Sequence, residues 1–131
     1  MSRELLEATE PTAGHMGLYM YRGRIESIYD GDTMRITVDQ GFSTARLRES
    51  FRLYGINTPE VRGAEKEEGK KVRDYVRSFL PIGQEVYVRS VRDKSGKYGR
   101  YLGVIWVEKP DGWVNVNKHL LDNNMAVEML Y

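Results

Sequence analysis

A guanidinium and a carboxylate are carried by one short stretch, Phe51-Arg52-Leu53-Tyr54-Gly55-Ile56-Asn57-Thr58-Pro59-Glu60. Phe51, Leu53 and Ile56 are large and apolar, so the stretch begins as a buried strand. It breaks at Gly55 and ends in a polar turn that Pro59 fixes. Arg52 and Glu60 are then held on a stiff support. A fixed positive group beside an anionic base suits chemistry at a phosphate.

The elements that must position them follow from pattern. Leu18 to Tyr29 reads as a strand, and Asp30-Gly31-Asp32-Thr33 as the tight turn of a hairpin. Met34 to Asp39 alternates apolar and polar residues, as a half-buried strand does. Phe42 to Tyr54 is the return arm, long enough to require a bulge or bend near Arg48 to Ser50. Val72, Tyr75, Val76, Phe79 and Leu80 fall on one helical face, with Glu65, Glu67 and Glu68 at the start and Pro81 as the stop. Gln84 to Arg92 and Arg100 to Val107 are two further strands, separated by the glycine-punctuated loop Asp93 to Gly99. After the turn Lys109-Pro110-Asp111-Gly112, either Asn115 or Asn117 caps a short helix to about Asp122. Five strands with a helix after the third predict an α+β, mainly β fold: a five-stranded barrel of the oligonucleotide-binding (OB-fold) type with two or three helices.

Bulk properties narrow the function classes. The 131 residues suffice for one domain. A net charge of +1 gives no overall basic signal, so a case for nucleic acid must rest on local placement. There is no cysteine, which excludes disulfides, thiolate metal sites and a thiol nucleophile. No apolar run approaches the roughly 20 residues needed to span a membrane, and Met1 to His15 lacks the apolar stretch of a secretory signal. Residues 1–16 are expected to be a disordered leader added in cloning or a native arm, and 17–131 the folded domain. The filled core leaves no spare apolar stripe, which predicts a monomer.

Three motifs occur in order: Asp30-Gly31-Asp32-Thr33, then Phe51-Arg52-Leu53 running to Thr58-Pro59-Glu60, then Lys97-Tyr98-Gly99-Arg100. Together they resemble the staphylococcal nuclease (thermonuclease) family, with a weaker echo from Asn117 to Ala126. The resemblance implies a calcium-dependent phosphodiesterase that cuts DNA and RNA, leaving 3′-phosphate and 5′-hydroxyl ends. It implies that Asp32 and the Thr58 carbonyl bind calcium. It also implies that Arg52 and Arg100 hold the phosphate, that Glu60 is the general base, and that Lys97 and Tyr98 contact a bound nucleotide phosphate. The chemistry agrees, since Asp32, Asn57 and Thr58 offer the hard oxygens calcium takes. Two guanidiniums can donate paired hydrogen bonds to a five-coordinate phosphorus.

Asn57 stands where the family commonly has a second metal-binding aspartate, so weaker calcium binding is expected. Tyr131 is out of register with the family's terminal tyrosine, which would fall near Leu130. Taken singly, each residue has an ordinary structural reading: Asp32 as a turn former, Arg52 as half of a surface ion pair, Glu60 as a solvated loop residue, and the stripe Arg46, Arg48, Arg89 and Arg92 as a solvated face. A non-catalytic nucleic-acid-binding barrel with a decayed metal site is the alternative to the nuclease. The retention of Arg52, Glu60 and Arg100 together favours the enzyme.

Overall fold

The computed structural model describes residues 10–11, 19–91 and 100–129. The proposed leader, apart from Glu10 and Pro11, lies outside the described residues, as do the loop carrying Lys97 and Tyr98 and the last two residues.

Strands β1 (Met20–Asp30), β2 (Thr33–Gly41) and β3 (Thr44–Leu53) form an antiparallel meander. A two-residue strand β4 (Ile56–Asn57) and a 3-10 turn (Gly63–Glu65) lead into helix α1 (Lys66–Phe79). Strands β5 (Glu85–Val91), β6 (Tyr101–Lys109) and β7 (Gly112–Asn115) follow, then helix α2 (Val116–Asp122) and a last short strand β8 (Val127–Glu128). β1 also pairs with β5, β5 with β6, and β6 returns to β3 in parallel, so five strands close on themselves. This is the barrel expected from the element order, with β7 added to the far end of β6.

Alternation fills the interior. Ile25, Met34, Ile36, Leu53, Val86 and Ile105 are almost wholly buried, and α1 seals one end with Val72, Val76 and Leu80. Pro81 follows α1 as predicted, and the Leu80 N–H donates to the Val76 carbonyl at 2.7 Å. The Lys109 ammonium donates to the Phe79 carbonyl at 2.6 Å, which satisfies an orphan acceptor at the helix C-terminus. The bend foreseen in the return arm is a bulge. Ile36 pairs with Glu49 but Val38 with Arg46, so β3 holds one extra residue there, and Arg48 has a φ of +51°.

The two asparagines offered as helix caps have different tasks. Asn115 is the cap, its side chain accepting from the Lys118 N–H at 3.2 Å. Asn117 is fully buried, accepting from the Ile105 N–H at 3.0 Å and donating to the Tyr54 and Gly103 carbonyls at 2.9 and 3.1 Å. It ties α2 to the place where β3 and β6 meet. The three small strands β4, β7 and β8 were not foreseen, since segments so short carry no periodicity.

Replacing Asn117 with alanine removes three hydrogen bonds to buried backbone and should cost on the order of 3 kcal/mol in urea denaturation. A loss below about 1 kcal/mol would show that barrel closure does not depend on this side chain.

Candidate active site

The hairpin turn between β1 and β2 is pressed against the rest of the protein. A Cβ on Gly31 would lie 2.6 Å from Val72 Cγ1 and 2.9 Å from Thr58 Cγ2, so only glycine fits. Asp30 Oδ1 accepts from the Asp32 N–H at 3.1 Å, the Asx pattern that tightens such turns. Asp32 is nearly buried and joins three segments. Its Oδ2 accepts from the Thr58 N–H at 3.0 Å, its Oδ1 from the Thr33 hydroxyl at 3.2 Å, and its backbone carbonyl from the Leu53 N–H at 2.8 Å.

Arg52 comes to the same place from the end of β3. Its Nη2 lies 3.1 Å from Asn57 Oδ1 and 3.6 Å from Asp32 Oδ2, with little of either charged side chain exposed. The structure thus brings Asp32, Arg52, Asn57 and Thr58 together. The polar turn through Thr58 and Glu60 sits on α1 at Gly69, where a Cβ would overlap the Glu60 carbonyl. The Glu60 side chain is exposed beside this cluster, near enough for its charge to act on Asp30. Arg100 is half-buried immediately before β6, next to Tyr101, the parallel partner of Phe51. Closure of the barrel therefore sets the start of β6, just after Arg100, alongside the end of β3 that carries Arg52. Lys97 and Tyr98 lie outside the described residues.

Two contributors escaped the sequence reading. Asp30 was read only as a turn residue, yet it is buried and stands over the Asp32 carboxylate. Burial above all pushes its carboxyl up to about 7, with the hydrogen bond and charge of Asp32, and the charge of Glu60, acting in the same direction. The available signal was the pair of aspartates two apart in one turn. The second is β8, which pairs with β4 and, through the Met129 N–H donating to the Gly55 carbonyl at 2.7 Å, brings the Met129 sulfur to 3.6 Å from Arg52 Nη2.

The donor set suits a hard cation in kind. Asp32, Asn57 and Thr58 offer oxygen donors, and the buried Thr58 hydroxyl has no hydrogen-bond partner. Its charge is thin, because Asn57 is neutral, and no cluster of three or more acidic or histidine side chains able to hold a metal occurs among the described residues. In this arrangement the Arg52 guanidinium supplies positive charge between Asp32 and Asn57.

Residues 50–131 match the model of the staphylococcal nuclease homologue family. The match begins inside β3, so the Asp30 to Thr33 turn precedes it. The chain is also similar to Endonuclease YhcR of Bacillus subtilis, 27% identical over 114 residues, covering 81% of this chain and 9% of that protein. An uncharacterised protein of Methanocaldococcus jannaschii, MJ1439, is 25% identical over 126 residues, covering 81% of this chain and 58% of its own length. The chain therefore spans a small part of the first relative and over half of the second.

The raised Asp30 carboxyl gives a pH dependence whose sign is fixed. The folded protein holds this proton more tightly than the unfolded chain, so the stabilisation is complete below the ordinary value of 3.8 and is lost as pH rises to about 7. Asp30→Asn keeps an acceptor for the Asp32 N–H but removes the titration. Its stability in metal-free buffer, relative to wild type, should increase with pH across that window in urea melts. A difference independent of pH would remove the assignment.

Proposed function

The chain belongs to the staphylococcal nuclease homologue family, and from that footing we propose that it is a calcium-dependent nuclease hydrolysing phosphodiester bonds of DNA, RNA or both. The observation that carries the reading is the convergence of Arg52, Asp32 and Asn57, with Arg52 Nη2 at 3.6 and 3.1 Å from their oxygens. On this reading one barrel end joins a cation suited to phosphate to a set of hard oxygen donors.

On this reading Glu60 takes a proton from the attacking water, whose oxygen forms the new bond to phosphorus. The bond from phosphorus to the 5′ oxygen breaks, that oxygen takes a proton from solvent and leaves as a hydroxyl, and the phosphate stays on the 3′ side. Arg52 and Arg100 donate hydrogen bonds to the phosphoryl oxygens as their charge increases, a task for which paired guanidinium donors are better shaped than lysine. Bound calcium, held by Asp32, Asn57 and the Thr58 carbonyl, would supply further positive charge at the phosphoryl oxygen and fix its orientation. Release of Arg52 from Asp32 and Asn57 frees its donors for substrate. Lys97 and Tyr98 are assigned to the nucleotide phosphate by family resemblance.

Asn57 specifically favours a second reading, a nucleic-acid-binding barrel that no longer cuts. Cleavage of single-stranded DNA in calcium, in magnesium and in chelator separates the two. The enzyme reading expects calcium-dependent cutting, reduced about 10²–10⁴-fold by Glu60→Gln and about 10²–10³-fold by Arg52→Ala or Arg100→Ala. DNA binding without cutting in any metal would establish the second reading. Asn57→Asp restores a negative ligand and should tighten calcium binding in isothermal titration; unchanged affinity would take residue 57 out of the metal site.

A further inference from the structure

The far end of the β2–β3 hairpin carries features that the cleavage chemistry does not use. Thr33 pairs with Arg52 and Arg35 with Ser50, so alternation puts Thr33, Arg35 and Thr37 on the same face of β2 as Arg52 on β3. Met34, Ile36 and Val38 take the buried face. Arg48 is fastened to this outer face by two bonds: its N–H donates to the Thr37 hydroxyl at 3.1 Å, and its carbonyl accepts from Arg35 Nη1 at 2.9 Å. These bonds hold Arg48 in the left-handed region, a costly conformation for a residue with a side chain. The acidic residues nearby are already engaged, Glu26 with Arg24, Asp39 with Arg22 and Glu49 with Arg46, and the charge of Arg48 acts on Glu26 as well. Among the described residues, neither Arg35 nor Arg48 is in an ion pair.

Past Arg48 the hairpin ends in a two-residue loop, since Gly41 pairs with Thr44. Phe42 and Ser43 both have positive φ, +54° and +60°, in a turn that favours Asn-Gly. The Phe42 ring is 100% exposed. An apolar ring in water on a strained backbone does nothing for stability, and it stands at the end of a line running Arg52, Arg35, Arg48. Guanidiniums along a track with an aromatic at its end are the two ingredients of sequence-tolerant single-strand binding.

We infer that the outer face of the β2–β3 hairpin is a second contact surface for single-stranded nucleic acid, with Arg35 and Arg48 on phosphates and Phe42 stacked on a base. The inference rests on the nuclease reading only for the direction of the strand away from Arg52. At about 3.3 Å per residue the tip lies roughly 30 Å along the hairpin from Arg52. A dinucleotide cannot reach both, whereas a strand at the upper end of the 4–16 nucleotides typical of such barrels can.

The test is fluorescence anisotropy of the full chain with a labelled thymidine 16-mer in chelator, so that binding is read without cleavage. Phe42→Asn suits the positive φ and should leave the melting temperature equal or higher while weakening the 16-mer about tenfold. Arg48→Asn, also suited to its backbone, should lower the slope of log affinity against log salt by about 0.7. Cleavage of a dinucleotide in calcium should be unchanged in both variants. The inference is overturned if wild type and Phe42→Asn bind the 16-mer equally, or if neither binds it. It is equally overturned if sedimentation shows a wild-type dimer that Phe42→Asn dissolves with no change in DNA affinity. Loss of cutting with this binding pattern intact would sink the nuclease reading alone.

Discussion

The parallel seam between β3 and β6 is the constraint on which the rest of the molecule depends. Without it the strands would form an open sheet with two free edges, and the start of β6 would not lie against the end of β3. Pairing of Phe51 with Tyr101 and of Leu53 with Gly103 turns the sheet into a barrel. Asn117 then occupies the polar gap behind the seam, where Tyr54 leaves β3 and its N–H donates to the Gly103 carbonyl at 2.9 Å. A buried amide satisfied on three sides gives direction to an otherwise apolar junction, which hydrophobic contact alone would leave free to slide.

The candidate site works against this economy. Two aspartates share one buried turn, one of them holding a proton well above the usual carboxylate range, and a guanidinium stands between the other and Asn57. Burial and the neighbouring carboxylates oppose ionisation of Asp30, and backbone constraint keeps the arrangement in place. Gly31 lets the turn press on Thr58 and Val72, and Gly69 lets the Glu60 turn lie on the helix. Positions where an ordinary side chain would be excluded are thus the supports of the charged groups.

Much of this was legible in the chain. The Asp-Gly turn marked the first hairpin because few sequences adopt it otherwise, and the apolar spacing of Val72, Val76 and Leu80 marked the helix because its period is unlike that of a strand. The grouping of Arg52, Asp32 and Thr58 came from resemblance rather than pattern, since each has an ordinary role alone. The remainder was hidden for physical reasons. Asn115 and Asn117 are chemically identical, and only tertiary contacts send one to a helix end and the other to the core. Asp30 looks like any turn aspartate until the fold buries it. Strands as short as β4 and β8 exist only because each finds the other.

The seam also sets an order in time. Phe51 and Tyr101 are separated by 101 − 51 = 50 positions, so their pairing closes a long loop and belongs to the slower, non-local part of folding. The β2–β3 pairing sets Arg52 against Thr33, next to Asp32, without that closure, whereas the start of β6, which Arg100 precedes, reaches β3 only when the loop shuts. A partly folded chain that holds only the first hairpins therefore has the Asp32 and Arg52 side of the candidate site and lacks the β6 side. Completion of the candidate site is therefore tied by topology to a non-local pairing rather than to any one hairpin.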